Sequence, residues 1–88
     1  MKPHEEYRAL RESLGLSRHK LGEMFGVRYP SIQKRELGQV DIPLAEMDTL
    51  RGMVQEKLNE FAQDYGNAPL PPEEAEERRR LRAAQDAL

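Results

Sequence analysis

Between Ser17 and Glu36 the run SRHKLGEMFGVRYPSIQKRE leaves the backbone few choices. Leu21 and Phe25 are four residues apart and so share one face of a helix. Gly26 follows at once, and a glycine takes the left-handed conformation that ends a helix at little steric cost. Pro30 then stands where a second helix would open, in the first turn, which tolerates a missing N–H. Ile32 gives the next inward position, and Gly22 is small enough for two helices to cross closely. The stretch predicts two short helices joined by a sharp bend at Gly26. Ser17 suits the N-cap of the first. The second is expected from about Tyr29 to Leu37, its start open by one residue because Pro30 disfavours helical geometry at Tyr29.

Helical signals continue on both sides of this pair. Over residues 3–14, Pro3 suits a first helical position and Glu5 and Glu6 complement the helix dipole. Tyr7, Leu10 and Leu14 make one apolar face, and Gly15 stops the helix. From Pro43 to Tyr65 the residues Met47, Leu50, Val54, Leu58, Phe61 and Tyr65 recur at three- to four-residue steps. They predict one long helix, or two with a kink near Gly52. Its front half must close the core. Leu58, Phe61 and Tyr65 extend beyond what a minimal domain needs and are expected to meet a partner surface, either a second copy or the C-terminal segment, or else to pack on their own domain. Residues 67–72 form a proline-rich linker, so the chain divides into a domain over 1–66, that linker, and a charged helix or tail over 73–88. In the tail Glu74–Arg78 and Glu76–Arg80 are favourable pairs, and Leu81, Ala84 and Leu88 make a thin apolar strip, enough to order a helix that docks.

At 88 residues the chain has room for one small core, so the predicted class is all-α, with four to five helices, a long fourth helix and a charged C-terminal one. Cysteine is absent, which fits a reducing cytoplasm, and His4 and His19 are isolated, so no metal site and no cofactor are expected. No apolar run suggests a membrane span or a signal peptide. Neither a phosphate-cradling glycine loop nor a nucleophile paired with a histidine is present, so an enzyme is not expected.

The net charge of −2 hides a segregation. Residues 1–38 hold eight Lys/Arg against five Asp/Glu, residues 39–77 two against ten, and residues 78–88 four against one. A basic head on an acidic middle presents that head to a polyanion, although ordinary solvated charge is the plainer reading. Arg18, His19 and Lys20 occupy a first helical turn, where acids are the usual choice. Such a turn either docks a phosphate or is merely solvated. His19 itself reads as a surface histidine. The tail arginines, Arg78, Arg79, Arg80 and Arg82, suit a solvated charged face better than a contact with that polyanion.

From Tyr7 to Pro43 the chain resembles the helix-turn-helix of the Cro/C1-type (XRE-like) DNA-binding domains, carried by the Ser17–Glu36 motif. The resemblance implies a lambda-repressor-like fold and a third helix laid in the major groove. Tyr29, Pro30, Gln33 and Lys34 would then face the bases, glutamine suiting adenine and lysine the guanine acceptors. Ser17, Arg18, Lys20, Arg28 and Ser31 would hold phosphates. It also implies an ion pair between Arg11 and Glu36 that ties the first helix to the end of the reading helix. Three positions depart from the family pattern. Arg35 stands where a large apolar residue is usual, so its stem must lie along the core or the core is smaller there. Lys20 replaces a common acid, and the loop Gly38–Pro43, usually basic, carries Asp41 and no Lys or Arg.

The function expected from these readings is a sequence-specific regulator of transcription on double-stranded DNA, a repressor acting as a homodimer on half-sites roughly 34 Å apart. The alternative is an adaptor that keeps the helix-turn-helix scaffold to engage a protein partner such as RNA polymerase.

Overall fold

The computed structural model describes residues 1–86. Leu88, the last member of the expected tail strip, lies outside them. Five helices follow in order: α1 (Pro3–Ser13), α2 (Arg18–Phe25), α3 (Tyr29–Glu36), α4 (Leu44–Tyr65) and α5 (Pro72–Asp86). Among the described residues the fold is all-α, with no strand.

Local chemistry accounts for the ends. In α1, Pro3 opens the helix, Glu5 and Glu6 sit in its first turn, and Leu14 is its C-cap. The Ser17 side chain accepts a hydrogen bond from the Lys20 N–H at 3.0 Å, capping α2. Gly26 ends α2 in the left-handed conformation, with φ of 70°. Gly22 is buried, but its close neighbour is the turn rather than a second helix: a Cβ there would lie 2.6 Å from the Val27 carbonyl oxygen. That same helix end is tied by the Val27 N–H, which donates to the Gly22 carbonyl at 2.9 Å. The proline at the second position of α3 does not delay its start, which falls at Tyr29.

Gly52 does not interrupt α4, which runs unbroken for 22 residues. One core draws on every helix: Tyr7 and Leu10 from α1, Leu21 from α2, Ile32 from α3, Met47, Leu50 and Val54 from α4, and Leu81 and Ala84 from α5. Burying a large apolar side chain of this kind stabilises by about 1.5–3 kcal/mol. That gain orders α5, whose 15 residues are marginal as an isolated helix. α5 docks against α1 and α4. Leu58 and Phe61 are half-buried against the shared core. Tyr65 interacts with Glu74 of α5, whose hydrogen bonding raises the phenol's pKa.

Candidate nucleic-acid interface

The surface of interest begins at the α2–α3 bend. Its position is set by ionic contacts beneath it rather than by the apolar core alone. Arg11 of α1 donates from Nε to Glu36 Oε2 at 2.6 Å and from Nη2 to Glu36 Oε1 at 3.0 Å. Its Nη1 donates to the Leu16 carbonyl at 2.8 Å, so the guanidinium also fixes the link into α2. The Glu36 side chain is only 2% exposed, which makes this a nearly dry, bidentate ion pair between α1 and the end of α3.

Arg18 joins the same carboxylate. Its Nε donates to Glu36 Oε1 at 3.2 Å, and its Nη1 lies 3.5 Å from the Tyr29 hydroxyl. Hydrogen bonding to Glu36, then to Tyr29, raises the Arg18 pKa further above its ordinary value. The guanidinium therefore ties α2 to both ends of α3. Of the residues expected to hold phosphates, Arg18 alone has its charge directed at a buried carboxylate of the chain itself.

The others lie at the surface. Ser17, Lys20 and Arg28 are exposed and Ser31 is half-buried. The Ser17 hydroxyl oxygen is engaged in the cap, which leaves its O–H free to donate outward. Lys20 Nζ stands 3.7 Å from Glu23 in a solvent-exposed pair, an interaction worth little. On α3, Pro30, Gln33 and Lys34 are exposed while Ile32 between them is fully buried, so the helix turns one face inward and the other out. Tyr29 is half-buried. Its ring lies 4.7 Å from that of His19, at 30°, and Arg18 stands over it at 6.0 Å. His19, Gly22, Glu23, Gly26, Arg28 and Pro30 line the open concavity at this bend.

Two further ionic networks were not anticipated from the sequence. Glu6 of α1, nearly buried, accepts from Arg51 Nε at 2.7 Å and from Nη2 at 2.8 Å, which joins α1 to α4. Tyr7 donates its hydroxyl hydrogen to Glu46 Oε1 at 2.9 Å, and Arg35 Nη2 lies 3.2 Å from Glu46 Oε2. Arg35 thus lays its stem along the core and places its head on a carboxylate of α4, while its Nε and Nη1 are buried without a partner. The Tyr7–Glu46 and Glu6–Arg51 pairs join residues 39 and 45 apart in sequence, a separation at which no periodicity or spacing gives a signal.

The arrangement is a rigid base under a polar, partly basic helix face. Among the described residues no helix is long and apolar enough to cross a membrane, and no group of three or more His, Asp or Glu side chains could hold a metal. Compared with known proteins, the chain matches no family model, no curated protein and no solved structure.

Proposed function

We propose that this protein is a sequence-specific, double-stranded DNA-binding regulator of the Cro/C1-type helix-turn-helix kind, acting as a repressor in pairs on two-fold sites. The reading rests on one observation above the rest: α4 and α5 pack elsewhere and leave Pro30, Gln33 and Lys34 exposed on α3, a helix anchored at its far end through Glu36. Gln33 and Lys34 carry the groups that recognise adenine and guanine edges in a major groove. Lys20 and Arg28 stand on either side of the bend as phosphate contacts, and Ser17 and Ser31 add hydroxyl donors. Tyr29, pinned by His19 and Arg18, orients the first turn of α3 and offers a ring edge to a thymine methyl.

Selection from random duplexes tests the reading. Enrichment of a defined sequence, with affinity falling steeply between about 50 and 200 mM salt, is the expected result. If no sequence is enriched, the DNA reading fails and the protein-interaction adaptor takes its place.

A further inference from the structure

Glycine is a poor residue for a helix interior, so a helix that keeps one there needs a reason. Gly52 stands inside α4, which runs unbroken for 22 residues. Its φ lies outside the left-handed region, and a Cβ there would meet nothing within 4 Å. Neither the backbone nor the packing of the chain on itself therefore calls for a glycine. The bare backbone instead opens onto a concavity of 290 Å³ between α1, α4 and α5.

Its walls combine two chemistries. Leu10 and Val54, both buried, give an apolar floor beside Gly52. Around them stand Glu6, Arg51, Gln55 and Gln85. The two ions satisfy each other: both Glu6 oxygens accept from Arg51, at 2.7 and 2.8 Å, and the remaining nitrogen, Nη1, lies 3.9 Å from Asp48. No charge is left over to hold an ionic ligand, and burying an unpaired charge beside apolar side chains is costly. The amides are the polar groups with capacity to spare. Gln85 Nε2 of α5 donates to Gln55 Oε1 of α4, and Gln55 Nε2 donates to Asn59 Oδ1. Among the described residues that leaves the Gln85 carbonyl oxygen and the second hydrogen of each amide nitrogen to meet a ligand.

Size narrows the class further. A space of 290 Å³ lies at the lower end of the roughly 300–1,000 Å³ usual for small-molecule sites, too small for a helix but enough for a flat molecule of about a dozen non-hydrogen atoms. We infer that this concavity binds a small, uncharged aromatic molecule with an amide-like edge. Its ring lies on the bare backbone at Gly52, and its polar edge turns to Gln55 and Gln85. None of the walls comes from α3, so the site is separate from the proposed reading face and stands whether or not the chain binds DNA.

Naphthamide is the probe, titrated into the full chain and followed through amide signals in two-dimensional NMR. Naphthoate and naphthylmethylammonium serve as charged counterparts of similar shape. Millimolar naphthamide is expected to shift the Gly52 backbone amide and the Gln55 and Gln85 side-chain amides saturably, and to raise Tm. It is expected to bind at least about tenfold more tightly than either ion. Gly52→Leu puts a side chain into the concavity and is expected to weaken naphthamide by about tenfold or more. Leucine is a strong helix former, and circular dichroism checks that the variant keeps the parent's helix content. Gly52→Ala, whose added methyl group meets nothing in the chain, is expected to weaken naphthamide severalfold while leaving the fold intact. Shifts that are absent or not centred on these residues overturn the inference. So does binding undiminished in both variants, or tighter binding of either ion.

Discussion

Glu36 holds two guanidinium groups, from Arg11 and Arg18, in a site that water barely reaches. Removing one member of a buried pair leaves the rest charged and uncompensated, a change that costs about 3–5 kcal/mol. Glu36→Ala is expected to lower urea stability by that amount, and Arg18→Ala by less, because Arg18 is the more exposed partner. An unchanged midpoint for Glu36→Ala would show that the pair carries no stability. Tyr7 gives a pH signature. Its burial, then its hydrogen bond to Glu46 and that carboxylate's charge, push the phenol's pKa well above the ordinary value near 10. The unfolded chain then loses the phenolic proton first, so the stability present below pH 10 declines above it, by up to about 1.4 kcal/mol per pH unit. Tyr7→Phe is expected to flatten this alkaline decline in a pH series of urea melts, with a loss of about 1 kcal/mol at neutral pH for the missing hydrogen bond. An alkaline decline as steep in Tyr7→Phe as in the parent would assign it to another group. At this scale the sequence was least informative. Arg11 and Glu36 could be paired through a family resemblance, but Glu6–Arg51 and Tyr7–Glu46–Arg35 depend on how α4 packs on α1 and where that brings Glu46 relative to Arg35, which local spacing does not encode.

The helices themselves were legible. Apolar residues at three- and four-residue steps, with proline or serine at starts and glycine at stops, place α1 to α4 within one or two residues of where they lie, whereas residues 73–88 read as either a helix or a tail. What periodicity could not decide was whether Gly52 breaks α4, or what covers the back half of that helix. Both answers come from packing: Leu50 and Val54 are buried on either side of Gly52, and Leu81 and Ala84 bring α5 onto α4. The two helical glycines therefore differ. A Cβ at Gly52 meets nothing within 4 Å, so Gly52→Ala is expected to stabilise by about 1 kcal/mol through helix propensity alone. A Cβ at Gly22 meets the Val27 carbonyl oxygen, so Gly22→Ala must push the α2–α3 bend apart and is expected to destabilise by about 1–3 kcal/mol. Thermal melts of the two variants check the pair. Equal shifts would mean that the bend is not tightly held.

Over the whole molecule, segregated charge does more than the net value of −2 suggests. On α4 the exposed acids Asp48, Glu56, Glu60 and Asp64 outnumber the exposed cations Arg51 and Lys57, and the exposed cations Lys20, Arg28 and Lys34 lie on and beside the α2–α3 bend. A polyanion is therefore drawn to one end of the molecule and repelled from another. Of the residues proposed to contact phosphate, Arg18 has its guanidinium directed at Glu36, whereas Arg28 is exposed. Arg28→Ala is expected to weaken binding to all duplexes alike and to reduce the salt slope by about one. A change confined to one base position would instead make Arg28 a reader. The account stands or falls on whether the outward face of α3 reads bases. The direct measurement is the affinity of the parent and of Lys34→Ala for the selected duplex and for each of its single-base variants, at one fixed salt concentration. The account predicts that Lys34→Ala loses about 1–3 kcal/mol on the selected sequence and becomes indifferent to the base at one position while keeping its preferences elsewhere. A profile for Lys34→Ala that runs parallel to the parent's at every position would contradict it.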